Sequence, residues 1–276
     1  MTALLDIEDL RIAWPGPHGP VEGVRGATLS MGRERLGVVG ESGSGKSSIG
    51  RAVLGLVARP GVVTAKRLAF DGIDLLGLPP AGFRALRGRR IGLILQDPRH
   101  SLNPVMRVGE QIAEVWRGAS RAEARRRAMA MLEAVRIDDP ERVYRLYPHQ
   151  ISGGMGQRVM IAMMLAPEPD LLIADEPTSA LDAALRAQVL GLMDELCARR
   201  GTGLLLISHD LPMVAGFCDR VAVMYAGRVV ETLPAADLPR AAHPYTRGLL
   251  ACLPRPDLIG GPLPTLIRDP AWAEPP

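Results

Sequence analysis

The run Gly40-Glu41-Ser42-Gly43-Ser44-Gly45-Lys46-Ser47 constrains this chain more than any other stretch. It fits GxxxxGK[ST] at every fixed position. The apolar Leu36-Gly37-Val38-Val39 precedes it, and a helix-compatible run, Ser48 to Val57, follows. Strand, glycine-rich loop and helix in that order make a phosphate cradle. The glycines allow positive φ and close backbone approach to an anion, and the loop N–H groups and the helix N-terminus face it. Lys46 is placed to reach the β- and γ-phosphates of a nucleotide, and Ser47 to ligate Mg²⁺. A Gly/Ser linker is the plainer alternative, but linkers seldom join a buried strand to a helix with Lys-Ser at the junction.

The 276 residues suit one large domain, or a core with a subdomain and a tail, and a hydrophobic content of 47% is ample for a core. The net charge of +3 is carried almost wholly by arginine, since Lys46 and Lys66 are the only lysines. Aromatics are 4% of the chain, and no dense basic stripe interleaves them, so a nucleic-acid partner is not expected. The densest cluster, Arg125-Arg126-Arg127, reads as a solvated helix face. Cys197, Cys218 and Cys252 are odd in number and far apart, without a CxxC pair. That argues against a zinc or iron–sulfur site and for buried or inert thiols in a reducing cytosol. Met1–Leu5 runs into acidic residues without a basic start and apolar stretch, so no signal peptide is expected, and no apolar run approaches the roughly 20 residues of a spanning helix. The chain is expected to be soluble and to reach a membrane only by docking on a partner.

Strands are predicted over residues 4–12, 21–31 and 36–39, with a Pro/Gly-rich loop at 14–20. The helix after the phosphate loop is predicted to end near Arg59-Pro60-Gly61, and a short strand follows at 67–70. Residues 80–165 are helical in tendency and Arg-rich, apart from Ile91–Leu95, and look like an insertion into an α/β core. Helical spacing covers 108–116 and 120–135, with Ser120 and Glu123 forming a capping-box pattern. The core resumes with buried strands at 171–174 and 204–207, a long helix from Ala183 to Arg200, and a hairpin around Ala226-Gly227. Apolar runs without alternation, spaced by helices, indicate a parallel sheet covered on both faces. A short helix is predicted at 245–252, and residues 254–276 read as a poorly ordered, Pro-rich tail.

Further groups carry chemistry. Asp175-Glu176 ends the strand 171–174, where an Asp suits a Mg²⁺-associated carboxylate and the neighbouring Glu can polarise an attacking water. His209 follows the next buried strand, and C-terminal strand ends gather at the ligand edge of a parallel sheet, so it could sense a γ-phosphate. Ile151-Ser152-Gly153-Gly154-Met155 opens an apolar helix. Spacing alone leaves open whether this is an ordinary cap or a second anion-binding helix start.

Taken together and in this order, the motifs resemble the ATP-binding subunit of an ABC transporter, over about residues 4–253. Gly40–Ser47 is similar to the Walker A motif, Leu171–Asp175 to Walker B, and Glu176 to the catalytic glutamate. Ile151–Met155 resembles the LSGGQ signature, with Ile for Leu and Met for Gln. Gln96 is similar to the Q-loop glutamine, Ser179–Asp182 to the D-loop, and His209 to the switch histidine. Trp14 lies where the family stacks an aromatic on adenine. The segments Gln96–Pro98, Ser101–Pro104, Ser152–Met155 and His243–Thr246 are similar to the peptide/nickel importer group. Cys252 stands alone, which argues against the iron–sulfur site that Cys-rich tails of that group resemble.

The resemblance implies a P-loop NTPase core with an N-terminal antiparallel β subdomain and an inserted helical subdomain at about 97–165. The ATP-binding domain would span 1–253 and the tail 254–276. ATP would be contacted by Trp14, Gly40, Glu41, Ser42, Gly43, Ser44, Gly45, Lys46, Ser47 and Ser48. Mg²⁺ would be held by Ser47, Gln96 and Asp175, and catalysis would rest on Glu176, His209 and Gln96. Ser152, Gly153 and Gly154 would serve the nucleotide of a second ATPase subunit, identical or paralogous. Two transmembrane permease subunits, and indirectly a substrate-binding protein, would complete an importer of peptides, nickel or a metal chelate. The chain would then sit on the cytoplasmic face of the plasma membrane. An ATPase of a soluble assembly similar to carbon–phosphorus lyase is the alternative.

Overall fold

A computed structural model describes residues 3–96, 101–179, 181–253, 265–266 and 268–273. The chain forms two compact units, Met1–Pro79 with Leu205–Pro276, and Pro80–Leu204. In chain order the elements are β1 (Leu5–Trp14), β2 (Val21–Met31), β3 (Arg35–Val39), α1 (Lys46–Val53), β4 (Val62–Thr64), β5 (Arg67–Phe70) and β6 (Ile73–Asp74). Next come α2 (Pro80–Leu86), β7 (Ile91–Ile94), α3 (Val108–Ala113), α4 (Arg121–Ala134), α5 (Pro140–Arg145) and α6 (Gly153–Leu165). The chain continues through β8 (Leu171–Asp175), α7 (Ala183–Arg200), β9 (Gly203–Ser208), α8 (Leu211–Phe217), β10 (Arg220–Tyr225), β11 (Arg228–Pro234) and α9 (Pro244–Ala251).

In the first unit, β1 is the centre of an antiparallel sheet ordered β2-β1-β5-β6, with β4 also paired to β1. The buried face of β1 is Leu5, Ile7, Leu10 and Ile12, a break in strict alternation. The cause is a register shift between Ile7 and Leu10, where Asp9 takes a left-handed φ of 50°. An extra residue there turns Leu10 inward in place of Asp9. Beside this sheet in sequence, β3 pairs in parallel with β10, Leu36 opposite Arg220 and Val39 opposite Val223. The order within the unit is β11-β10-β3-β9. Leu36, Val38, Val39, Leu205–Ile207 and Val221–Met224 are all buried, as a strand covered on both faces requires. Each such side chain contributes about 1.5–3 kcal/mol by leaving water.

Helix α1 is shorter than its sequence suggests. It stops at Val53 because Gly55, at φ 59°, donates its N–H to Ala52 O (2.9 Å) while Leu56 N–H reaches Arg51 O (2.7 Å). That pair of bonds is a glycine C-cap and acts well before Pro60 can. The chain's end also departs from expectation. Within the tail read as poorly ordered over 254–276, residues 265–266 and 268–273 are described and make packing contacts, while 254–264, 267 and 274–276 lie outside the described residues. Leu266 packs against Gly248 on α9, and Trp272 lies 5.9 Å from Tyr225 and 6.0 Å from Tyr245, ring centre to ring centre. A Pro-rich stretch suggests extended chain, but one Trp against two Tyr rings is enough to seat it.

In the second unit, β7 and β8 pair in parallel, Ile91 opposite Leu171 and Ile94 opposite Ala174. Helix α3 packs against α4, α5 and α6. Ser120 caps α4 by accepting Glu123 N–H (3.2 Å). The carboxylate of Glu123 turns to Arg126 and Arg127, and Arg125 pairs with Glu141 (2.6 Å). The triple arginine is thus a solvent-facing helix surface, as read from sequence, with its charges also paired to Glu123 and Glu141. Cys197 in this unit and Cys218 in the first are buried, and burial pushes both thiols up to about 12. Among the described residues no helix is long and apolar enough to cross a membrane.

Candidate nucleotide site

The phosphate loop belongs to the first unit. It leaves β3 at Gly40, φ 154°, where a Cβ would collide with the Met224 carbonyl oxygen of β10. It enters α1 at Gly45, φ 97°, against the Gly23 carbonyl oxygen of β2. Both positions demand glycine twice over, for conformation and for space. Gly227 of the β10–β11 turn donates to Ser44 O (3.1 Å). The loop is therefore clamped by β2 and the hairpin rather than draped between two elements. Lys46 is 7% exposed, and its ammonium donates to Gly40 O (2.7 Å), Glu41 O (2.8 Å) and Ser44 Oγ (3.4 Å). A buried ammonium ringed by loop oxygens is a compact charge held within the loop, of a kind suited to phosphate. Ser42 and Gly43 are exposed and Ser47 and Ser48 half-buried.

Trp14 closes β1 in the same unit. Its Nε1 donates to Ala58 O (3.2 Å), and its ring lies against Gly23 and Gly61. Ala13, Pro15, Gly16, Gly19, Pro20 and Val62 join it around an apolar cavity of about 480 Å³. A flat indole tethered at its polar edge, in an apolar cavity, has the shape and polarity that stacking on a flat ring requires. His209 follows β9 and is exposed, and Asp210 beside it caps α8 by accepting Met213 N–H (3.0 Å).

The other predicted residues lie in the second unit. Gln96 is exposed two residues past β7, while its predicted companions Asp97 and Pro98 lie outside the described residues, as does Ala180 of Ser179–Asp182. Asp175 ends β8 and is 9% exposed. Glu176 next to it is half-buried and adopts φ 51°. That conformation is costly for a residue with a side chain and persists where surroundings impose it. Its carbonyl accepts from Ser179 Oγ (3.2 Å) and N–H (3.4 Å). Ser152 caps α6 by accepting Met155 N–H (3.3 Å). Met155 therefore serves the cap through its backbone, which its exchange for Gln leaves untouched. Ser152 and Gly153 are exposed, and Gly154 sits on Leu185.

Two residues escaped the sequence reading. Tyr245, fully buried on α9, accepts Glu41 N–H at its Oη (3.2 Å), and burial pushes its phenol up to about 12. Its signal was an aromatic in His243–Thr246, singled out for its likeness to a group but given no role. Gln157 is buried on α6 and donates to the Pro177 carbonyl just past Glu176. A lone Gln on the apolar face of that helix was its signal. As for a metal, Ser47, Gln96 and Asp175 offer hydroxyl, amide and carboxylate oxygens, the donors Mg²⁺ prefers. Among the described residues no cluster of three or more His, Cys, Asp or Glu could hold a metal. One carboxylate fits an ion bound largely through substrate phosphates and water.

Comparison with known proteins agrees with this geometry. The model of the ABC transporter family matches residues 26–179. The chain is 45% identical to the oligopeptide transport ATP-binding protein OppD of Salmonella typhimurium, over 97% of this chain and 81% of that one. It is 45% identical to the dipeptide transport ATP-binding protein DppD of Escherichia coli, over 91% of this chain and 79% of that one. Among solved structures, the ATP-binding cassette MJ0796, a post-hydrolysis dimer bound to ADP and Pi, superposes with a TM-score of 0.75 at 26% identity. It covers 84% of this chain and 98% of that one. The fold is that of the P-loop NTPase cassettes, mixed α/β with an antiparallel β sheet. With a phosphate loop clamped on both sides and a family match over more than half its length, the chain belongs to the ABC transporter family, as an ATPase cassette.

Proposed function

We propose that this chain is the ATP-hydrolysing subunit of a peptide importer, acting as half of a head-to-tail ATPase pair. What carries the reading is a glycine-locked phosphate loop in a chain 45% identical, over 97% of its length, to an oligopeptide transport ATP-binding protein. The relatives named above are peptide systems, which favours peptides over nickel or a metal chelate as cargo. The ATP-binding domain would take in residues 1–253, with a helical subdomain at about 97–165 that receives the permease.

The roles follow from chemistry already described. Lys46 neutralises the β- and γ-phosphates, and Trp14 stacks on adenine. Mg²⁺, held by Ser47, Gln96 and Asp175, would supply charge neutralisation on the phosphate oxygens. Glu176 takes the proton of the attacking water, and His209 holds the γ-phosphate side. Ser152 and Gly153, exposed at the start of α6, and the half-buried Gly154 serve the nucleotide of the partner subunit. ATP touching both chains would favour the closed pair. Moving such an equilibrium from 1:99 to 99:1 takes about 5.5 kcal/mol of differential binding, and hydrolysis removes it. The partners would be a second ATPase subunit, two permease subunits on the membrane's cytoplasmic face and, indirectly, a substrate-binding protein.

The test is co-purification of the tagged chain with its neighbours, followed by reconstitution in vesicles. ATP-dependent uptake of a labelled peptide, with two polytopic subunits in the complex, is the expected result. A complex of soluble proteins alone would instead support the assembly similar to carbon–phosphorus lyase.

A further inference from the structure

Glu41 is an odd residue for its place. It puts a carboxylate in a loop built to hold an anion, about where a like charge is least welcome. Three contacts manage it, all within the first unit and two of them from the chain's last quarter. The Glu41 N–H is bonded by Tyr245 Oη (3.2 Å), and the Glu41 carboxylate is paired with Arg268 (Nη2 to Oε1, 3.0 Å). The third is Lys46, on the Glu41 carbonyl (2.8 Å). Tyr245 is in turn packed between Tyr225 (4.5 Å) and Trp272 (6.0 Å), ring centre to ring centre. Arg268 and Trp272 belong to one short segment, tethered upstream by Leu266 on Gly248.

We propose that the C-terminal segment Arg268–Trp272 positions the nucleotide site, Arg268 drawing the Glu41 carboxylate away from the phosphates while Trp272 seats the tyrosine that fixes the Glu41 backbone. Arg268, Trp272 and Tyr245 are positioning residues. They touch the loop or each other, not the reacting atoms. A phenol is protonated across ordinary pH, and burial pushes that of Tyr245 further up, to about 12, so this contact does not titrate there. The effect therefore falls on nucleotide affinity and leaves the chemical step alone.

The inference rests on Gly40–Ser47 being the ATP loop, so the test carries Lys46→Ala as a control. ATPase kinetics are measured on the full chain in its native complex, with thermal melting alongside. Arg268→Ala is expected to raise KM for ATP about threefold, the scale of one exposed ion pair, with kcat unchanged. Trp272→Ala is expected to raise it up to about tenfold, the scale of a lost aromatic pair. Arg268→Lys keeps the charge and should restore most of the affinity. Adding Glu41→Gln to Arg268→Ala removes the repelling carboxylate and should lower KM relative to Arg268→Ala alone, and the Arg268→Ala effect should shrink in high salt. An unchanged KM in Arg268→Ala overturns the proposal, as does a rise that Glu41→Gln fails to reverse or a loss confined to kcat. Undiminished ATP affinity in Lys46→Ala would instead overturn the reading of the loop itself.

Discussion

Two helix starts in this molecule look alike in sequence, glycine-rich with a serine nearby, and they are built in opposite ways. Helix α1 begins at Gly45 in the left-handed region with no side-chain cap, its approach walled by the carbonyls of Gly23 and Met224. Helix α6 begins at Ser152 in extended conformation, its own hydroxyl bonded to Met155 N–H, with Ser152 and Gly153 exposed. The first leaves capping to whatever the loop holds, and backbone from β2 and β10 closes in on it. The second satisfies itself and keeps an open face. Under the proposed head-to-tail pairing the difference has a reason: a start that encloses its own ligand needs walls, and one that meets a ligand carried by another molecule needs access.

That contrast can be broken in order of effect. Glu176→Gln should lower kcat by about 10²–10⁴ while ATP still binds, since a lost general base leaves the cradle intact. Lys46→Ala should weaken ATP binding by about a hundredfold or more, read by calorimetry, because a buried charged donor to phosphate is removed. Near-normal turnover in the first, or near-normal affinity in the second, would undo the roles assigned. Gly45→Ala should cost about 1–3 kcal/mol in folding through its φ alone, more with the clash on Gly23, and lower the melting temperature accordingly. Ser152→Ala should cost only about 1 kcal/mol as a lost cap. It should leave ATP affinity of the isolated chain untouched and lower hydrolysis in the pair. If affinity in the isolated chain falls as well, the two helix starts are not specialised as described.

The smallest effect concerns the β3 end of the loop's scaffold. Asp219 accepts from Arg35 Nη2 (2.7 Å), Nε (3.3 Å) and N–H (2.8 Å), and the Arg35 side-chain bonds hold its carboxyl below the usual carboxylate range. A depressed carboxylate stabilises the fold fully above its unfolded pKa and loses that contribution as pH falls through the lower, folded value. Asp219→Asn should therefore cost stability at neutral pH, about 1 kcal/mol or less because the pair is partly solvated. The difference from wild type should vanish below that range. Melting curves at pH 7 and pH 2.5 check the sign.

How much of this was legible in the sequence follows from the range of the interactions. The phosphate loop, the β8 exit at Asp175-Glu176 and the turn at Ala226-Gly227 are local patterns, each spelled by adjacent residues. The Ser120 cap was readable for the same reason. The early stop of α1 was also local but was overlooked, because Pro60 is the louder breaker and Gly55 acts first. The bulge at Asp9 depends on pairing with two strands at once. The contact between Tyr245 and Glu41 joins residues 204 apart, and no local rule brings them together. Gln157 reaching Pro177 is of the same kind: a buried amide announces that it has a partner, not which one.

The two deeply buried thiols have a practical consequence. With Cys197 and Cys218 pushed up to about 12, only about one part in ten thousand of either is thiolate at pH 8. Cys252, half-buried at the end of α9, is left to take a maleimide first. The helix that carries Tyr245 can thus bear a fluorophore without engineered cysteines, a reporter seven residues from the tyrosine that touches the phosphate loop.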